Sequence, residues 1–188
     1  MEVPRVSTRE EYARMPVEGR LDRLARTPDD LAAAMRGKTD DDLSRRPGPK
    51  KWCAKEVVCH LRDIEELFML RFHQMVGTDN PTFLVMGEMP PEPERWGIGG
   101  RVGMPLSPDR WAEERQYLRH DAALALNAFR TRRQETLALL GKLTPAQWQR
   151  GSTHVTLGHM TFGDWVTLIA AHDDKHLGQL QRAIEAHI

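Results

Sequence analysis

Two histidines near the end of the chain, His172 and His176, stand four positions apart in His172-Asp173-Asp174-Lys175-His176. On a helix that spacing stacks both imidazoles one turn apart on one side. Two rings so placed suit adjacent positions around one divalent ion. The flanking pattern puts them on a buried face, because Trp165, Ile169, His172, His176, Leu180 and Ala183 fall within about 60° of one another at about 100° per residue. An imidazole buried without a partner costs free energy, so each must meet either a metal or a neighbouring polar side chain. The glutamate of the H-E-x-x-H motif is absent, which removes the zinc-protease reading. A third candidate, His60, lies one turn from Val57 and Ile64, on the flank of an apolar stripe. Alone it reads as a boundary histidine. Three neutral ring nitrogens converging at about 2.0–2.1 Å from an ion would leave its other positions to water or substrate, as in catalytic sites.

Lesser candidates surround these three. Glu56, one turn before His60, can orient that ring or simply cap its helix at N3. Asp63 and Gln179 can each partner an imidazole, or serve as solvated or helix-packing polar residues. His154 and His159 precede the last helix and are expected at the surface of a loop. Cys59 is rotated about 100° from His60 and is not counted as a ligand.

The elements that must position these groups are helical almost throughout, since runs of alternating apolar and polar residues are scarce. A first helix spans 17–36, with an interruption expected at Thr27-Pro28-Asp29-Asp30, which reads as N-cap, N1 proline and first-turn acids. The second runs from about Ala54 to Met75, with Val57, Leu61, Ile64, Phe68, Phe72 and Met75 as its stripe. From Gly77 to Pro108 the chain is rich in proline and glycine, the composition of a crossover, lid or linker. Arg95, Trp96 and Arg101 suggest that this connection covers one mouth of the bundle and helps form a substrate pocket. Gly97-Ile98-Gly99-Gly100 is not a phosphate loop, because Val102 takes the third glycine position and no strand precedes it. A third helix covers Asp121 to Leu140 with a narrow face through Leu126, Phe129 and Leu137. The fourth follows a Thr161/Asp164 capping box and extends to about His187. The pattern predicts an all-α four-helix bundle, one domain over 1–188, with a long connection between helices two and three.

Composition narrows the function classes. The 188 residues carry 27 basic and 27 acidic side chains, so no basic excess exists to displace counterions from nucleic acid or to bind an anionic membrane. The longest apolar run, Trp165 to Ala171, is far short of the about 20 residues of a membrane span. Met1-Glu2-Val3-Pro4-Arg5 lacks the apolar region of a secretory signal. Cys53 and Cys59 make no disulfide framework, so a reducing cytoplasm is the expected compartment.

Two separated motifs now carry a resemblance. Trp52-Cys53-Ala54-Lys55-Glu56-Val57-Val58-Cys59-His60-Leu61-Arg62-Asp63 resembles the W-S-x-x-E-V-x-x-H-L-x-D segment of the DinB-like (YfiT-like) metalloprotein superfamily, and His172-Asp173-x-x-His176-Leu177-x-Gln179-Leu180 is similar to its H-x-x-x-H-x-x-Q motif. The resemblance covers roughly 17–187. It implies an up-down-down-up four-helix bundle with a divalent metal held by His60, His172 and His176. Zinc or nickel is the first expectation for that ion, with iron and manganese also compatible with imidazole. It further implies a thiol-dependent S-transferase or a hydrolase acting on a small molecule, a low-molecular-weight thiol serving as co-substrate in the first case. The alternative is a non-catalytic metal-binding or stress-related interaction bundle. A homodimer is the expected assembly, with no nucleic acid and no membrane as partner. The departures are Cys53, where serine is usual and a weaker cap could fray the helix start, and Arg62, where a small residue is common.

Overall fold

The computed structural model describes residues 7–83, 108–154 and 157–186. Four long helices dominate: α2 (Val17–Met35), α4 (Ala54–Gly77), α6 (Ala122–Leu140) and α8 (Phe162–Glu185). Short helices α1 (Arg9–Arg14), α3 (Asp40–Ser44), α5 (Pro108–Glu114) and α7 (Pro145–Trp148) punctuate the connections. Their starts follow the capping rule, with Thr8, Thr39, Thr144 and Thr161 each accepting the N3 backbone N–H while the N3 side chain reaches back to the cap. Helix α4 starts at Cys53, whose backbone N–H donates to Glu56 Oε2 at 3.0 Å, and its first turn closes through Val57 N–H to Cys53 O. The cysteine cap therefore does not fray it.

Side-chain pairs fix the helix directions. Arg20 donates to Gly163 O and Thr27 to Asp173, so α2 and α8 ascend together. Cys59 lies against Tyr117, in the turn just before α6, and Glu65 against Arg133 within it, so α4 and α6 are also parallel. His60 meets His172 while Phe72 meets Phe162, which makes α4 antiparallel to α8. Leu24 O with Arg133 and Asp29 with Arg130 make α2 antiparallel to α6. The bundle is up-down-down-up. Two consecutive parallel helices need a crossover that returns the chain to the end it left, which is the physical reason for the long connection between α4 and α6.

Two expectations are corrected. Helix α2 is not interrupted at Thr27-Pro28 but runs through Pro28. Proline has no N–H to give the carbonyl four residues back, which here is Leu24 O. Arg133 Nη1 supplies the missing donor at 2.9 Å. Thr27 is no N-cap; its hydroxyl instead donates across the core to Asp173 Oδ2 at 2.7 Å. The second correction concerns the segment before α8, read as a loop, which instead joins a small sheet beside the four-helix bundle. Strands β1 (Thr82–Phe83), β2 (Gly151–His154) and β3 (Gly158–Thr161) pair in the order β1-β2-β3, parallel then antiparallel. Gly151 permits the close hairpin, because a Cβ there would come within 2.0 Å of the His159 ring.

The core is two apolar halves separated by a polar layer. One half joins Leu31, Val57, Leu61, Leu126, Phe129 and Leu180; the other joins Leu24, Ile64, Phe68, Phe72, Leu140, Phe162 and Trp165. Between them Arg133, 1% exposed, donates to Asp173 through both guanidinium nitrogens and to Glu65 Oε2 at 2.8 Å. Among the described residues no helix is long and apolar enough to cross a membrane.

Replacing Arg133 by methionine would leave Glu65 and the Leu24 carbonyl without the donor it supplies, and Asp173 with the Thr27 hydroxyl but no countercharge. Removing one member of a buried ionic network costs about 3–5 kcal/mol. Urea unfolding of Arg133→Met should show a loss of that order, and a loss below about 1 kcal/mol would contradict the role given to this residue.

Candidate metal centre

Because α4 and α8 run antiparallel, His60 comes opposite the His172/His176 turn. His60 and His176 are buried and His172 is half-buried. One ligand atom from each of the three lies within 4.8 Å of the others. The ring centroids are 5.3, 4.6 and 4.3 Å apart for 60–172, 60–176 and 172–176. His60 Nε2 and His172 Nε2 face each other at 3.3 Å.

Electrostatics keep the rings neutral. Burial pushes His60 down to about 3 and His176 down to about 4, with the Lys175 ammonium acting in the same direction. His172 is also held well below the ordinary histidine value, first by burial and then by the neighbouring rings and Lys175. At neutral pH each imidazole therefore offers an unprotonated nitrogen. Gln179 Oε1 accepts from His176 Nδ1 at 2.8 Å, which fixes the tautomer and leaves Nε2 as the free lone pair. Outward partners of this kind orient ligating imidazoles. The Nδ1 atoms of His60 and His172 are buried without a hydrogen-bond partner among the described residues.

These residues fit a divalent ion. Nitrogens about 2.0–2.1 Å from a common ion stand roughly 2.9–3.4 Å apart in octahedral or tetrahedral arrangement, and the 3.3 Å between the two Nε2 atoms falls in that interval. Two neutral rings with lone pairs facing at that distance repel unless a proton or a cation lies between them.

The remaining candidates have other employment. Glu56 accepts from Cys53 N–H and pairs with Arg46, so its hydrogen bonds cap α4 and hold the preceding loop. Asp63 accepts from Arg62 Nε (2.7 Å), Arg115 Nη1 (2.7 Å) and Tyr117 Oη (2.8 Å), tying the returning end of the crossover to α4. Neither residue's bonds reach a ring of the cluster. Cys59 contacts Tyr117 O, on a different side of α4. Arg95, Trp96, Arg101 and the 97–100 glycine segment lie outside the described residues.

A cleft of about 870 Å³ opens over the cluster, lined by His60, His172, His176, Gln179, Trp52, the 47–51 loop, Pro108, Asp109, Lys175 and Arg182. Trp52 stands edge-on to His60 at 4.9 Å and nearly parallel to His176 at 6.4 Å, its Nε1 donating to Asp109 Oδ1 at 3.0 Å. Sequence reasoning did not single out Trp52, Asp109 or the cleft lysines, which are adjacent only once the loop before α4 meets the start of α5. Trp52 opens the first motif of the resemblance, and that position was the signal for it.

His159 is exposed on β3 as expected, but His154 is not a surface residue. It is 7% exposed on β2, packed edge-on against Trp165 at 5.6 Å, with Nδ1 accepting from Leu157 N–H at 3.2 Å.

A helical bundle with three histidines converging beneath an open cleft is the class that this fold and site define. The family model of the DinB superfamily matches residues 23–180, and the chain belongs to that superfamily. It is similar to a solved structure of YfiT from Bacillus subtilis, described as a probable metal-dependent hydrolase with an unusual four-helix bundle topology, at 21% identity and a TM-score of 0.72 over 96% of this chain and 90% of that one. Likeness at this identity establishes the fold. No curated protein matches the chain.

His154 yields a pH prediction. Burial, then Arg71 and Arg9, push it down to about 4 from an ordinary 6.5. The native state thus binds fewer protons than the unfolded chain between those values, so the contribution of His154 is fully present above about pH 6.5 and is lost as pH falls toward about 4. Urea midpoints of the wild type and His154→Gln, compared at pH 7.5 and 5, should show the smaller acid loss in the variant; equal losses would refute this.

Proposed function

We propose that the protein is a metal-dependent enzyme in which His60, His172 and His176 hold one divalent ion, open to a small-molecule substrate on the cleft side. The observation that carries this reading is the convergence of three neutral imidazoles with two Nε2 atoms 3.3 Å apart. Zinc or nickel is the favoured resident, and iron or manganese also suits imidazole ligands. Bound there, the ion supplies Lewis acidity, lowering the pKa of a coordinated water or thiol so that it can act as a nucleophile near neutral pH.

The chain's own residues position and enclose. Gln179 fixes the His176 tautomer. Trp52 walls the cluster on one side and is held by Asp109. Asp109 is the one carboxylate in the described lining of the cleft, and it is engaged by Trp52. A described lining whose one carboxylate is already engaged suits a reaction whose nucleophile is activated by the ion. Hydrolysis and transfer to a low-molecular-weight thiol both meet that description. The likeness to YfiT, a probable metal-dependent hydrolase, favours hydrolysis as the first assay, with thiol transfer as the second.

Elemental analysis should find one divalent ion per chain, and His176→Ala should lose both the ion and turnover of activated esters or thiol-acceptor electrophiles. Circular dichroism of His176→Ala should remain helical, because two apolar half-cores fold the bundle without metal. The ion should raise the wild-type Tm by mass action. A metal-free chain that loses its helices would make the ion structural, and a loaded protein inactive in both assays would leave a binding bundle.

Gln179→Leu should keep the fold but weaken metal affinity about 10–100-fold, the usual effect of removing an imidazole's outer partner. Chelator competition measures this, and unchanged affinity would show that the hydrogen bond does not orient the ligand.

A further inference from the structure

The described lining of the cleft is unevenly charged. Lys50 and Lys51 come from the loop before α4, and Lys175 and Arg182 come from the exposed side of α8. All four are exposed, and none makes an ion pair among the described residues. Some surface charges elsewhere are paired, as in Arg45–Asp42, Arg110–Glu114 and Arg130–Asp29, while single cations such as Lys142 stand apart; the cleft gathers four unpaired cations in one lining. The acid in the lining, Asp109, already accepts from Trp52. The chain as a whole carries 27 basic and 27 acidic residues, so the excess is a property of this cleft and not of the composition. Low-dielectric walls such as the Trp52 ring and Pro47 focus such a field and raise the local concentration of counter-charged solutes.

We propose that the cleft selects small organic anions, with a carboxylate or phosphate group held by Lys175 and Arg182, supported by Lys50 and Lys51. The proposal deepens the enzymatic reading: the anionic end would sit on the cations while the reacting end faces the three histidines. Lys175 is the natural anchor, being adjacent to His176 in sequence and near enough for its charge to act on all three rings.

The test is calorimetric titration of the metal-loaded protein with malonate, inorganic phosphate and neutral malonamide at low and high salt. The variants are Lys175→Gln/Arg182→Gln and, as a control, the exposed Lys142→Gln. Malonate or phosphate should bind the wild type and the control, weaken with salt, and bind the double variant about tenfold less tightly, while metal content stays unchanged. Malonamide should not compete. Equal affinity in the double variant, malonamide binding as tightly as malonate, or no anion binding at all would overturn the proposal. The same titration on His176→Ala separates the two readings. Malonate binding that persists there supports the cation site whatever elemental analysis says of the metal. Binding lost there but kept in the double variant would assign the anion to the ion alone and overturn the proposal.

Discussion

The guanidinium of Arg133 is the interaction on which the bundle depends. It projects from α6 into the centre of the protein and meets a group from each of the other three long helices: Leu24 O on α2, Glu65 on α4 and Asp173 on α8. A cation buried this deeply is tolerated because two carboxylates and a carbonyl replace its water. The contact with Leu24 O also explains how α2 continues through Pro28, since the donor that proline lacks arrives from another helix. Asp173 lies between His172 and His176 in sequence, so the network that joins the helices also holds the turn that carries both rings.

The histidines occupy the same polar layer, where the two apolar halves of the core part. Burial there withholds protons from imidazoles, so the rings present lone pairs at neutral pH with no acid or base assisting. The same burial leaves two Nδ1 atoms without a partner among the described residues, and the two Nε2 atoms at 3.3 Å can be bridged by one N–H or by a cation.

Topology and site are coupled through the crossover. Parallel α4 and α6 oblige the chain to travel the length of the bundle, and both ends of that journey are fastened. The outgoing end adds β1 to β2, and the returning end is clasped by Asp63 through Tyr117 and Arg115. The fastened return brings Pro108 and Asp109 to the rim of the cleft, where Asp109 holds Trp52 beside the rings. Asp63 thus serves the site by anchoring the wall rather than by touching an imidazole.

Sequence by itself determined the four long helices and the starts of α4 and α8, because 3.6-residue periodicity and the Thr161/Asp164 capping box are local signals. It also flagged His172 and His176 by their i, i+4 spacing on an apolar face, and the family resemblance joined His60 to them. Only the tertiary structure decided the rest. Pro28 reads as a helix start until a donor from a distant helix satisfies Leu24 O. Strands of two and four residues are too short to show a period, so the sheet and the burial of His154 within it depended on pairing between segments about 70 residues apart. Gln179 became the partner of His176, while Glu56 and Asp63 turned to Arg46 and Tyr117, because a carboxylate's partner depends on which cations and hydroxyls the fold brings near it. The cationic cleft has the same origin: its charges are dispersed along a neutral chain, and only the meeting of the 47–51 loop with α8 gathers them.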